Sequence, residues 1–171
     1  MTGAGLRAGA RPPGDLRRLP GQPRARHSGA SRRLHALLGP LTAQLFPRLA
    51  LRWLPPGDPS FARAGEHLAA RHLRRLGWRL LDRRVRTTWA EIDLLFEDHG
   101  ALVAVEVKTG RSGPRFQPGM RLARATIARL EHAVAALARG APARVDLVEV
   151  RLEGPGRIAI VRRADLRVGP G

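Results

Sequence analysis

Asp93, Glu106 and Lys108 are two carboxylates and an ammonium whose spacing could gather them around a divalent cation. They sit in two apolar runs, 90–96 and 103–108, separated by Asp98-His99-Gly100-Ala101. Taking His99-Gly100 as a two-residue hairpin loop, with glycine at positive φ, pairs Asp98 with Ala101. Every opposed pair then sums to 199. Phe96 faces Val103, Leu94 faces Val105 and Ile92 faces Val107, and all six apolar side chains share one face. The same register sets Asp93 opposite Glu106, and Glu91 opposite Lys108, on the other face. Directly opposed carboxylates destabilise a sheet by roughly 0.2–1 kcal/mol, so a cation between them would explain the choice. Oxygen donors favour Mg²⁺ or Mn²⁺. The pattern fits equally a solvated polar face carrying a Glu91–Lys108 ion pair.

Composition narrows the classes. The 171 residues suit one domain plus a tail, and 43% hydrophobic content is enough for a core. No apolar run approaches the roughly 18 residues of a membrane span. With no cysteine, disulfides, thiolate metal sites and cysteine nucleophiles are excluded. The formal charge of +17 points to a polyanion, nucleic acid first and an anionic membrane second. Of the 31 basic residues, 30 are arginine and Lys108 is the one lysine. The wealth of Arg, Ala, Gly, Pro and Leu matches GC-rich coding, which inflates arginine without functional cause. A lysine kept in that background is notable, because a compact ammonium and a planar guanidinium are not interchangeable.

These residues need elements to hold them. Phe61, Leu68, Ala69, Leu73 and Leu76 recur at helical spacing, and Gly77 ends the helix. Residues 79–86, 90–98 and 101–108 read as strands, followed by a Gly- and Pro-bearing loop over 110–119. A second helix spans 121–138, and strands over 145–151 and 157–161 flank a Gly154-Pro155-Gly156 turn. The order α-β-β-β-α-β-β gives an α/β or α+β sheet with helix cover. Residues 1–60 read as a basic Arg/Pro/Gly-rich tail, largely disordered, with short amphipathic helices within 34–54. The folded domain is expected over 61–166 and a disordered end over 167–171. The tail lacks the apolar core and cleavage site of a secretory signal, so a cytoplasmic protein is expected.

The ordered set of motifs resembles the bacterial YraN family, which is similar to archaeal Holliday-junction resolvases within the PD-(D/E)XK nuclease superfamily. The residues carrying the resemblance are Gly65-Glu66, Glu91-Ile92-Asp93-Leu94-Leu95, Val105-Glu106-Val107-Lys108-Thr109 and Arg144-Val145-Asp146. There are departures. Ala90 stands where the family usually has glycine, Gly110 displaces an expected arginine to Arg111, and Ile92 replaces the proline of the superfamily name. The second helix carries Arg124, Ala125 and Arg129 where lysine is usual.

The resemblance implies a restriction-endonuclease-like core and a Mg²⁺- or Mn²⁺-dependent endonuclease acting on DNA, including branched DNA. Asp93 and Glu106 would hold the metal, with Glu66 completing its shell and Glu91 ligating it or orienting Lys108. Lys108 would position the attacking water or neutralise developing charge. Asp146 is expected to be structural. Arg71, Arg75, Arg111, Arg124 and Arg129 are the candidate nucleic-acid contacts. Arg74, Arg83, Arg84 and Arg86 could extend them or form a solvated basic face. His67, His72, His99 and His132 show no ligand spacing, and the tryptophans are too dispersed for a stacking platform. The competing readings are a nuclease-fold protein that binds nucleic acid without cutting it and a membrane-peripheral protein using the tail. A second copy of the chain is a further candidate partner, and no integral membrane association is expected.

Overall fold

The computed structural model describes residues 40–113, 122–154 and 156–167. The expected disorder over residues 1–39 and 168–171, and most of the 110–119 loop, lie outside the described residues.

A mixed five-stranded sheet with helices on both faces forms the α+β architecture. Its elements are α1 (Pro47–Trp53), α2 (Pro59–Arg75), β1 (Arg79–Arg86), β2 (Glu91–Asp98), β3 (Ala101–Arg111), α3 (Arg124–Ala138), β4 (Ala143–Leu152) and β5 (Ile158–Arg163). The strands lie in sequence order. β3 and β4 are parallel, joined by the crossover through α3, and the other neighbours are antiparallel. This order is consistent with the restriction-endonuclease-like core that the resemblance implies.

Local chemistry sets the ends of α2. Asp58 caps its start by accepting the Ser60 N–H at 2.7 Å, and Pro59 occupies the first turn. At the far end Gly77 takes φ 92°, and the Trp78 N–H reaches back to the Leu73 carbonyl at 3.2 Å. That closure is a Schellman motif. It turns Trp78 into the core, edge-on to Phe96 with ring centroids 5.9 Å apart.

The sheet has two apolar faces. Leu94, Phe96, Val103, Val105 and Val107 join Val148 and Val150 beneath α1 and α2. Leu95, Ala104 and Val145 pack with Leu130, Ala133 and Val134 of α3. α2 lies unusually close to β3. A Cβ at Gly65 would fall 2.8 Å from the Thr109 Cβ and 2.9 Å from its Cγ2, inside contact distance. Glycine is therefore required there, and the next residue, Glu66, is carried down to the sheet.

The packed structure begins before the expected boundary at residue 60. Residues 40–45 are helical, and Ala43, Ala50, Leu51 and Leu54 are buried in the same cluster as α2. Apolar residues placed between Pro40 and Pro47 and beyond supply two short helical pieces whose inner sides the core accepts.

The hairpin register holds from Asp98–Ala101 to Leu94–Val105, and His99 and Gly100 both take positive φ, 48° and 82°. The expected pairs beyond it, Ile92–Val107, Asp93–Glu106 and Glu91–Lys108, do not form, because β2 and β3 part after Leu94. Ile92 is also on the other face from Leu94, in the α3 cluster. The alternation breaks at Asp93, opposite Arg84 on β1, which has a left-handed φ of 52° between the ladder pairs Arg83–Leu94 and Val85–Ile92. The pairing stays one to one across Arg84 and Asp93, and the register shift of this ladder lies between Leu80 and Asp82.

Candidate functional site

Asp93 stands in the fork between β2 and β3. Its Oδ2 accepts the Val107 N–H at 2.8 Å, taking the donor that the ladder would otherwise have used. Burial first, and then the neighbouring Glu106 carboxylate, push the Asp93 carboxyl up to about 7. Glu66 adds to the rise, while the Val107 N–H and Lys108 oppose it. A half-buried aspartate between two glutamates is thus held near neutrality by its surroundings.

Glu106 is 9% exposed, and its Oε1 accepts from Lys108 Nζ at 2.6 Å. The two residues are i and i+2 on β3, so they share one face. Glu66 is 8% exposed. Burial raises its carboxyl above the usual range against the pull of Arg84, Arg83 and Arg63.

Arg84 reaches 3.7 Å from Glu66 and 2.7 Å from Glu91, so its left-handed backbone delivers one guanidinium to carboxylates of two elements. Glu91 is also bonded by Arg86 at 3.2 Å. Hydrogen bonds from these arginines, Arg86 foremost, hold its carboxyl low. The expected Glu91–Lys108 pair is therefore replaced by Glu91 with Arg84 and Arg86, and by Glu106 with Lys108. Arg84 and Arg86, expected on a basic surface, are partners of the acidic cluster instead.

The set Asp93, Glu106 and Glu66 fits a hard divalent cation in donor chemistry. All three offer oxygen, two are buried, and burial with repulsion from Glu106 and Glu66 holds the Asp93 carboxyl up at about 7. As they stand, no three acidic or imidazole side chains among the described residues converge closely enough to hold an ion. Glu106 is turned to Lys108 and Glu66 toward Arg84.

The expected nucleic-acid contacts do not form one patch. Arg71 and Arg75 lie on α2 and line a groove of about 520 Å³ with Arg74, Arg83 and His67. Arg124 and Arg129 lie on α3, across the sheet. Arg111 donates to the carbonyls of Leu51, Arg52 and Leu54 at 3.2–3.4 Å, and lies 6.0 Å from the Phe61 ring centre. It closes the C-terminal end of α1, beside a second cavity of about 610 Å³ that no residue of the acidic cluster lines. His67 is lowered below the usual imidazole range by burial and by Arg83.

Asp146 is fully buried, bonded by Arg144 at 3.1 Å and by the Asp165 N–H at 3.0 Å. Arg144 also holds Asp98 at 2.6 Å and lies 5.1 Å over Trp78. Glu149 was not singled out by the sequence. It is fully buried, paired with Arg151 and Arg163, and lies beside Lys108 in the parallel β3–β4 register. Strand alternation marks Glu149 as unusual among buried valines, but its place next to Lys108 depends on a pairing distant in sequence.

Residues 65–150 match the uncharacterised protein family UPF0102. A UPF0102 protein of Symbiobacterium thermophilum is 41% identical over 100 residues, covering 56% of this chain and 85% of that protein. One of Thermotoga maritima is 34% identical over 97 residues, covering 57% and 80%. Among solved structures, Pyrococcus furiosus SfsA in complex with Ca²⁺ aligns over 65% of this chain and 63% of that chain, at 18% identity and a TM-score of 0.25. That superposition is too loose to carry an argument. The family match begins at Gly65 and so takes in Glu66, Glu91, Asp93, Glu106, Lys108 and Glu149.

Proposed function

The chain belongs to the uncharacterised protein family UPF0102, and from its site we propose that it is a Mg²⁺- or Mn²⁺-dependent endonuclease hydrolysing phosphodiester bonds in DNA. The observation that supports this best is Asp93, a half-buried carboxyl pushed up to about 7 by burial, Glu106 and Glu66. A fold has little reason to keep such a group unless something cationic relieves it. Asp93, Glu106 and Glu66 would hold the ion. When bound, the ion would polarise a phosphate and lower the pKa of a water.

The chain's own residues supply the rest. Lys108, released from Glu106, would place its ammonium against the developing phosphorane charge. The Val107 N–H fixes the orientation of the Asp93 carboxylate, and Gly65 sets the height of Glu66 over the sheet. Arg84 would balance the charge of Glu66 and Glu91. The guanidinium groups on α2 favour a polyanionic substrate.

A second reading, binding without cleavage, is favoured by one observation. Glu106 already has Lys108, and Glu66 has Arg84 nearby. Incubating linear, flapped and four-way DNA with Mg²⁺ or Mn²⁺, beside a Lys108→Ala control, separates the two. Metal-dependent cleavage by the wild type alone supports the enzyme. Binding without cleavage of any substrate by either metal would leave the second reading in place.

A further inference from the structure

Four arginines and one histidine line the groove of about 520 Å³ beside α2. His67, Arg71, Arg74 and Arg75 recur at i, i+4, i+7 and i+8, so one face of α2 forms a wall. Arg83 of β1 joins them. The facing wall is Gln44, Leu45 and Pro47, and among the described residues no carboxylate lines the space.

The arginines here differ from the paired arginines elsewhere in the sheet. Arg79 is paired with Glu97, Arg84 with Glu91, Arg144 with Asp98, and Arg151 and Arg163 with Glu149. Among the described residues the guanidinium groups of Arg71, Arg74, Arg75 and Arg83 have no ion pair or hydrogen bond. Burial works against the Arg83 charge, Glu66 supports it in part, and Arg74 repels it. Four like charges around one concave space are stabilised by an anion that fills it. The groove adjoins the acidic cluster through two consecutive pairs, Glu66-His67 and Arg83-Arg84.

We propose that this groove holds the sugar–phosphate backbone of a single DNA strand next to Asp93, Glu106 and Glu66, so that the substrate carries an unpaired segment at the site. This rests on the nuclease reading for its chemistry but not for its binding. Size carries the choice of strand. The volume lies within the roughly 300–1,000 Å³ of sites that enclose small ligands. That is room for a nucleotide or two. A space of that volume can enclose the backbone of one strand but not both strands of a duplex, whose major groove alone is about 12 Å wide. Among the described residues no aromatic side chain lines the groove, so contact there is through phosphates rather than stacked bases.

The test uses the full chain in EDTA, with fluorescence anisotropy of a labelled eight-nucleotide single strand and of a hairpin duplex of the same length. The single strand should bind at least tenfold more tightly. With two or three phosphate contacts its log Kd should change with log salt by about 1.5 to 2. Arg74→Ala and Arg83→Ala should each weaken binding and reduce that slope by about one. Leu45, 66% exposed, can be changed without disturbing the core, and Leu45→Glu should weaken binding as well. Arg79→Ala removes an equal charge outside the groove and should change affinity less than twofold. Equal binding of duplex, or no effect of Arg74→Ala, Arg83→Ala and Leu45→Glu, overturns the proposal. So does complete displacement of the strand by an equal concentration of pyrophosphate, which would assign the groove to small anions. Cleavage without groove binding would sink this inference and leave the nuclease reading standing. Groove binding without cleavage would do the reverse.

Discussion

Asp93 concentrates the consequences at the scale of single residues. Its carboxyl ionises near 3.8 when exposed and at about 7 in the fold. Between those values the native chain holds one proton more than the unfolded chain, so stability falls as pH rises toward 7 and stays low above it. At about 1.36 kcal/mol per pKa unit the loss is at most about 4 kcal/mol. Asp93→Asn should therefore raise the urea midpoint at pH 8 and leave it nearly unchanged at pH 4. The same variant should weaken Mg²⁺ or Mn²⁺ binding in a calorimetric titration. A lower midpoint at pH 8 would show that Asp93 is ionised and stabilising there. Lys108→Arg should not restore cleavage lost in Lys108→Ala, because a planar guanidinium cannot occupy the ammonium's place on Glu106. Arg111→Ala tests a residue whose type suggested phosphate but whose partners are the carbonyls of Leu51, Arg52 and Leu54. It should cost roughly 1–2 kcal/mol of stability and leave single-strand affinity unchanged.

At the scale of elements, the approach of α2 to β3 decides whether Glu66 reaches the acidic cluster. Gly65→Ala brings a methyl against Thr109. Overpacking should cost about 1–3 kcal/mol, set against a helix-propensity gain of about 1 kcal/mol. A net loss is expected in chemical denaturation, and Thr109→Ala should recover part of it in the double variant. Additive losses would mean the two residues do not touch. α1 is the other informative element. Pro40, Pro47 and the charge shift near residue 60 suggested a loosely docked tail, yet Leu51 is fully buried. Leu51→Ala should cost about 2–4 kcal/mol, and deletion of residues 1–58 should lower the thermal midpoint by far more than a dispensable tail would.

Across the whole molecule, the sheet divides the positive charge. Arg71 and Arg75 share a groove on the α2 side, whereas Arg124 and Arg129 stand on α3 behind the opposite face. The total of +17 is thus not one binding surface. Arg83 and His67, on β1 and α2, meet in the groove. Among the described residues no helix is long and apolar enough to cross a membrane.

What the sequence determined by itself was local or periodic. Helical and two-residue periodicity placed α2, α3 and all five strands. The positive-φ demand of His99-Gly100 set the hairpin register for as long as the ladder lasts. Spacing gathered Asp93, Glu106 and Lys108 onto neighbouring strands. What tertiary structure alone decided depends on groups distant in sequence. The alternation breaks at Asp93, opposite the left-handed Arg84, with Ile92 on the α3 face and the Asp93 carboxylate on the Val107 N–H. The partner of Lys108 became Glu106 because Arg84 and Arg86 had claimed Glu91, and Glu149 came beside it only through the parallel pairing of β3 with β4. Periodicity reports which way a side chain faces. Which charge it meets there is set by long-range packing, and electrostatic energy depends on that distance.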